Sequence, residues 1–345
     1  MPAAPAGMRT CSLHALQATY NPMENQNWAF PAHLQPKPGA YGFNLESALD
    51  SVVLLRAEIP EDAFTASFLG TERVGNGVLI RDDGLVLTIG YLVTEASAIW
   101  LTTNEGAVVP AYTVSYDQST GFALVQALGR LKLAPLPRGS AASCRVGDEV
   151  LVAGHGGRPH TVKAKVVDKR EFAGYWEYVL DEALFTAPPH PQWGGSALID
   201  ARGRLAGIGS LLVQEDAGGG APQGNMIVPI DLLEPILDDM VNFGRAQRPP
   251  RAWLGIYAAE VSGQLAIAGV TANGPAAEAG VKVGDVVVEV QGKPVKGLAN
   301  LFRAIWDVGP AGVTVELTVA RKGKISRLSV RSADRQNFLK KPLMH

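Results

Sequence analysis

Between residues 48 and 230 the chain is a succession of short, β-prone apolar runs separated by turn residues, and this spacing constrains the fold more than any other feature. One set reads "SVVLLRAEI", "GNGVLI", "LVLTIG", "AIWLTT", "VVPAYTVSY" and "FALVQAL"; a second reads "DEVLVAGH", "TVKAKVVDK", "YWEYVLD", "SALIDARGRLAGIGSLL" and "NMIVPI". Each set supplies about six strands, and the Pro-containing "LGRLKLAPLPRGS" divides them, which predicts two packed β-barrels. "RDDG" at 81–84 is expected to be a hairpin turn. The first long helical pattern is "IDLLEPILDDMVNFG", with apolar Leu232, Leu233, Ile236, Leu237, Met240 and Val241 and a glycine stop at Gly244; it is predicted to close the second barrel. "RAQRPPR" then punctuates the chain as a linker. Beyond it, residues 252–332 read as a separate unit of strands and two short helices.

With 345 residues and 47% hydrophobic content, the chain has material for two or three cored domains. A formal net charge of -2 gives no basic field for nucleic acid or anionic membranes. Cys11 and Cys144 alone make no disulfide framework. The best apolar run of the first forty residues, "CSLHALQA", is broken by His14 and Gln17, and no run approaches the ~20 residues of a membrane span. The expectation is a soluble, cytoplasmic chain, or a periplasmic one if its start is misplaced. Residues 1–44 read as a flexible extension, and 336–345, with "LKK", as a solvated tail.

"WGGSALIDARGRLAGIGS", "GNMIVPIDLLEPIL" and "AWLGI", preceded by "GNGVLIRDDGLVLTIGYLV" and "DQSTGFALVQA", resemble in order and spacing the HtrA-type trypsin-like serine proteases that carry a C-terminal PDZ domain. The resemblance runs from about Val74 to Ser332. It implies a mainly β fold: a trypsin-like double β-barrel (chymotrypsin fold) over 45–245 and an α+β PDZ domain over 250–335. It also implies oligomers, trimers through N-terminal aromatic segments, for which "YNPMENQNWAF" is the candidate, or mixed assemblies with an active homologue.

The same resemblance argues against the family's chemistry. Acyl transfer needs a nucleophile, a base within hydrogen-bond reach and an acid that orients the base. The family's histidine falls on Tyr91, its aspartate on Gly121 and its serine on Trp193, while the glycine whose N–H serves the oxyanion falls on Pro191, which has no N–H. Tyr91 and Trp193 are expected to fill the vacated cleft against each other. No histidine lies between His33 and His155, so no shift of register restores a base in the first barrel. A relocated group of His155, His190 and Ser196 is the alternative, with the Ser196 Oγ expected to point away from the cleft. His155 and His160 lack a third metal ligand nearby, "GNG" at 75–77 is taken as a β-turn without the "GK[ST]" of a phosphate loop, and "DAGGGAPQG" as a mobile loop beside the cleft. No metal or cofactor is implied.

In the C-terminal unit, "WLGI" (Trp253, Leu254, Gly255, Ile256) resembles the PDZ loop whose successive N–H groups form a nest for a terminal carboxylate. Leu301 and Ile305, four apart on "NLFRAIWDV", are expected to line the groove's second wall. The resulting expectation is a catalytically inactive HtrA-like adaptor, suited to protein quality control, that binds C-terminal or hydrophobic peptide segments. The alternatives are an active endopeptidase with unrecognised catalytic groups, a structural subunit beside an active homologue, and a PDZ domain that packs on the barrels and binds nothing external.

Overall fold

The structure, a computed structural model, describes residues 28–214 and 223–340. The first six strands are β1 (Val52–Glu58), β2 (Glu72–Leu79), β3 (Leu85–Ile89), β4 (Ala98–Thr102), β5 (Val108–Tyr116) and β6 (Phe122–Ala127). They close into a barrel in the order β1-β2-β3-β6-β5-β4, with β1 and β4 pairing antiparallel at the seam from Leu54 opposite Thr102. Closure removes the free strand edges that an open sheet would leave. The residues after β2 turn back at Gly84, whose φ of 89° suits glycine, into β3.

The second barrel contains β7 (Glu149–Ala153), β8 (Thr161–Gly174), β9 (Tyr178–Ala187), β10 (Ala197–Ile199), β11 (Leu205–Gln214) and β12 (Gln223–Pro229), in the order β10-β11-β12-β9-β8-β7. One apolar core runs through both barrels: Leu55, Leu87, Phe122 and Leu124 of the first join Leu151, Phe185, Ile208 and Met226 of the second. The third unit is a sheet of β13 (Ile256–Val261), β14 (Gln264–Val270), β15 (Val286–Val290), β17 (Thr314–Arg321) and β18 (Lys324–Arg331), with the short β16 (Lys293–Pro294) paired to β15.

The helices are α1 (Leu45–Asp50), α2 (Ala66–Leu69), α3 (Leu237–Phe243), α4 (Pro275–Glu278) and α5 (Leu298–Trp306). The long helix expected over 230–244 is broken. A single 3₁₀ turn occupies Ile230–Leu232, and α3 starts only at Leu237. Pro235 lies in the gap: it offers no N–H to a helical ladder and disfavours helical geometry at Glu234. The expected stop holds, with Gly244 capping α3 in the left-handed region at φ 69°.

Three segments expected to be loose are tied down. Residues 28–44 are not a free extension: the Phe30 N–H donates to Pro159 O (2.9 Å), the Lys163 N–H donates to Leu34 O (2.8 Å), and Phe30 and Leu34 cover the outer core of the second barrel. Residues 1–27, with most of "YNPMENQNWAF", and most of "DAGGGAPQG" lie outside the described residues. The linker is pinned where Arg248 donates to both carboxylate oxygens of Asp117 at 2.7 Å and Arg251 lies over the Trp306 ring at 4.1 Å. The tail is docked through residue 340. Phe338 packs on Trp253 with ring centres 4.7 Å apart, and the Lys340 N–H donates to Glu95 Oε1 (2.8 Å). Truncation after Asp334 is therefore expected to destabilise the protein by about 1–3 kcal/mol, the scale of losing one aromatic anchor and its bonds. A lower urea midpoint with unchanged far-ultraviolet circular dichroism would register it.

Candidate active-site cleft and peptide groove

The loop before β10, which bears Pro191 and Trp193, is fixed by a residue of the other barrel. Asn76, buried in β2, donates its Nδ2 to Gln192 O (2.9 Å) and Gly194 O (3.1 Å) and its backbone N–H to Gly194 O (2.8 Å). Its Oδ1 accepts the His155 N–H at 2.8 Å. "GNG" is thus strand and not the expected turn; its glycines are needed because a Cβ on Gly75 would sit 2.5 Å from Leu92 and 2.8 Å from Gly194 O. Opposite, a Cβ on Gly195 would lie 1.8 Å from Asn76 O. The two chains touch backbone to backbone, which leaves the loop one shape.

Within that frame the four sequence-derived positions come out as follows. Tyr91, in the turn after β3, donates its Oη to Ser210 O at 2.8 Å, and a Cβ on Gly194, next to Trp193, would stand 2.8 Å from that oxygen, so Tyr91 lies against the loop that bears Trp193. Burial pushes the Tyr91 phenol well above its ordinary range, and it stays protonated. Gly121 adopts φ 81°, and a Cβ there would stand 3.2 Å from the Oη of Tyr178, which donates to Thr120 O at 2.7 Å. Pro191 lies exposed on the same loop as Trp193.

The relocated group does not assemble. Ser196 Oγ is buried and donates to Trp193 O at 2.9 Å. His190 is enclosed; its Nδ1 accepts the Gln192 N–H (3.0 Å) and its Nε2 faces His160 O (2.8 Å), while burial holds the imidazole down at about 4 and therefore neutral. His155 directs Nε2 to Thr103 O at 3.2 Å. Each imidazole is engaged with backbone.

At the PDZ loop the nest is formed, and a carboxylate already sits in it. The N–H groups of Leu254, Gly255 and Ile256 all point at Glu177: Gly255 donates to Oε1 at 2.7 Å, Ile256 to Oε1 at 3.0 Å and Leu254 to Oε2 at 3.1 Å. Gly255, at φ 77°, supplies the left-handed step that turns three successive donors inward. Trp253 packs behind the loop against Phe338, and Leu301 and Ile305 of α5 are buried in the PDZ core.

A family model for a trypsin-like peptidase domain matches residues 75–208, and one for a PDZ domain matches residues 252–331. The chain is of the HtrA type. It is 29% identical over 274 residues to a probable periplasmic serine endoprotease, DegP-like, of Halomonas elongata, covering 76% of this chain and 56% of that protein. To the periplasmic serine endoprotease DegP of Escherichia coli K12 it is 28% identical over 270 residues, covering 73% and 55%. The chain thus spans about half the length of the curated relatives it matches. A solved HtrA-type protease AlgW variant with a tripeptide has the same fold (TM-score 0.52, 19% identity, 87% of this chain and 98% of that one). These relatives correct the cytoplasmic expectation, since they are periplasmic proteins by name.

Three residues of this HtrA-type chain escaped sequence reasoning. Asn76 passed as part of a turn. Arg73, also buried, donates to Tyr91 O (2.7 Å), Thr94 O (3.1 Å) and Thr65 Oγ1 (2.7 Å) and so fixes the strand end that bears Tyr91. Glu177 could not be found, because nothing in "GYWEY" points to a loop more than seventy residues away.

Two expectations follow. Asn76→Ala takes the side-chain partner from the Gln192 carbonyl and the His155 N–H, while Gly194 O keeps the backbone N–H of residue 76, and should destabilise the protein by about 1–3 kcal/mol by chemical denaturation. Glu177 is pushed up to about 7, chiefly by burial, against the pull of its three N–H donors and of Arg335; Tyr257 is the other titratable group that feels its charge. A pKa raised above the value of about 4.3 in the free chain means that the docked state holds its proton more tightly. Docking should be tightest below about pH 4 and weaken as the pH rises through about 7. Amide exchange at Gly255, corrected for the intrinsic pH dependence, should show that loosening in the native chain and lose it in Glu177→Gln.

Proposed function

We propose that this HtrA-type chain is a catalytically silent peptidase homologue that works by binding polypeptide segments through its PDZ groove. One observation carries the reading: Tyr91, which the resemblance aligns with the family's base, is a buried, protonated phenol that donates to Ser210 O. An imidazole base must be free to take a proton near neutral pH. A phenol pushed above its normal pKa does not do so, and indole does not attack a carbonyl carbon. Pro191 adds a missing donor at the oxyanion position, a loss worth roughly 2.7–4 kcal/mol of transition-state stabilisation in enzymes that have one. The peptide-binding half rests on three convergent backbone N–H groups whose geometry suits a carboxylate. By the names of its relatives, we place the chain in the cell envelope.

A second reading, an active serine endopeptidase, is favoured by those same names, which are serine endoproteases. Fluorophosphonate labelling and casein cleavage separate the two. The silent reading expects neither; labelling mapped to Ser196 would establish the second.

Repair of the triad is expected to be silent in parts. Trp193→Ser alone leaves no base. Gly121→Asp must hold a left-handed backbone, at about 1–2 kcal/mol, and meets Tyr178 as well. Since triad members act as a unit, only a variant that also carries Tyr91→His and Pro191→Gly is expected to show turnover of a chromogenic peptide above background. Ready proteolysis by Trp193→Ser would overturn the assignment of these positions.

A further inference from the structure

The PDZ groove is filled by the chain itself, through the hairpin that joins β8 to β9. Glu177, at its tip, gives the nest a carboxylate. Tyr175 O accepts the Ala258 N–H of β13 at 2.9 Å, and β13 is the strand a peptide would extend. Val179 is buried in the same apolar cluster as Leu301, Phe302 and Ile305, with Ala173 packed alongside. A peptide's C terminus offers the same three things: a carboxylate, a strand backbone and an apolar side chain.

The hairpin is also built to stay. Glu177 holds φ 58°, a conformation that a glutamate adopts only when its surroundings reward it. On α5, Arg303 pairs with Glu171 and Asp181, one from each strand of the hairpin. Tyr178, next to Glu177, reaches into the first barrel and bonds Thr120 O beside Gly121.

The geometry points to the β8–β9 hairpin as a built-in ligand that keeps the PDZ groove closed until a free C-terminal carboxylate with an apolar last residue displaces it. The nature of the displacing partner rests on the peptide-binding reading above; the latch itself does not. Because a ligand sees only the open fraction of its site, the native chain binds more weakly than its groove intrinsically would.

The full-length chain, Glu177→Ala and Glu177→Gln are compared in two measurements. One is fluorescence polarisation with a pool of fluorescein-labelled decapeptides ending in Val, Leu or Phe, as free acids and as amides. The other is amide exchange at Leu254, Gly255 and Ile256 without peptide. Glu177→Ala should bind the free acids at least about tenfold more tightly than the native chain, leave the amides unbound, and exchange the three N–H groups at least about tenfold faster. Glu177→Gln, which keeps the side chain's shape, should fall between, and carries the test if the alanine variant does not fold. Equal exchange in native chain and variants overturns the latch, even if peptides bind; so does equal peptide affinity. Faster exchange in the variants with no binding of any free acid supports the latch and overturns the peptide-binding reading.

Discussion

The contact between the Glu177 carboxylate and the N–H groups of residues 254–256 sets how the rest of the molecule is arranged. Burial pushes Glu177 up to about 7, and the three convergent backbone N–H groups offset part of the cost of taking its carboxyl group out of water. Holding it there draws the hairpin tip onto the PDZ domain, and Tyr178 carries the same tip into the first barrel. The pinned linker and the docked tail close the remaining gaps, with Arg248 on Asp117 and Phe338 on Trp253. The three units are therefore joined by side chains aimed into one another and not by the linker alone.

The cleft and the occupied groove are structurally linked. Tyr178 stands beside Gly121, and a side chain there would press on its hydroxyl. The residue that follows Glu177 in sequence thus occupies space that opens when position 121 has no side chain. On the other side of the cleft, Tyr91 bonds Ser210 O, and Asn76 holds the loop by backbone contact so close that neither Gly75 nor Gly195 tolerates a Cβ. The loop before β10 is thus kept rigid by backbone contact between the two barrels.

The strand runs and the glycine and proline punctuation were enough to read two barrels and a separate third unit, because alternation and turn chemistry are local properties; that the third unit is a PDZ domain came from the resemblance. Tyr91, Gly121, Trp193 and Pro191 were singled out for the same reason: each stands in a motif whose neighbours are local in the chain. The "WLGI" nest was legible too, since consecutive backbone donors follow from one short stretch with a glycine at the turn. Pro235 was equally visible, yet the apolar periodicity around it masked the break it makes in the helix.

What fills each site was a matter of tertiary structure alone. Asn76 reads as a polar residue between two glycines until the second barrel brings Gln192 O and Gly194 O to its amide. Glu177 reads as one more charge in an aromatic turn, and the tail beyond Asp334 as solvated lysines, until packing sets Glu177 on Leu254, Gly255 and Ile256 and Phe338 on Trp253. Sequence determined which donors exist and which side chains stand at the cleft, since those depend on residue identity at one place. Packing decided which carboxylate the donors hold, because that depends on two segments meeting across many intervening residues, and no local pattern encodes the meeting.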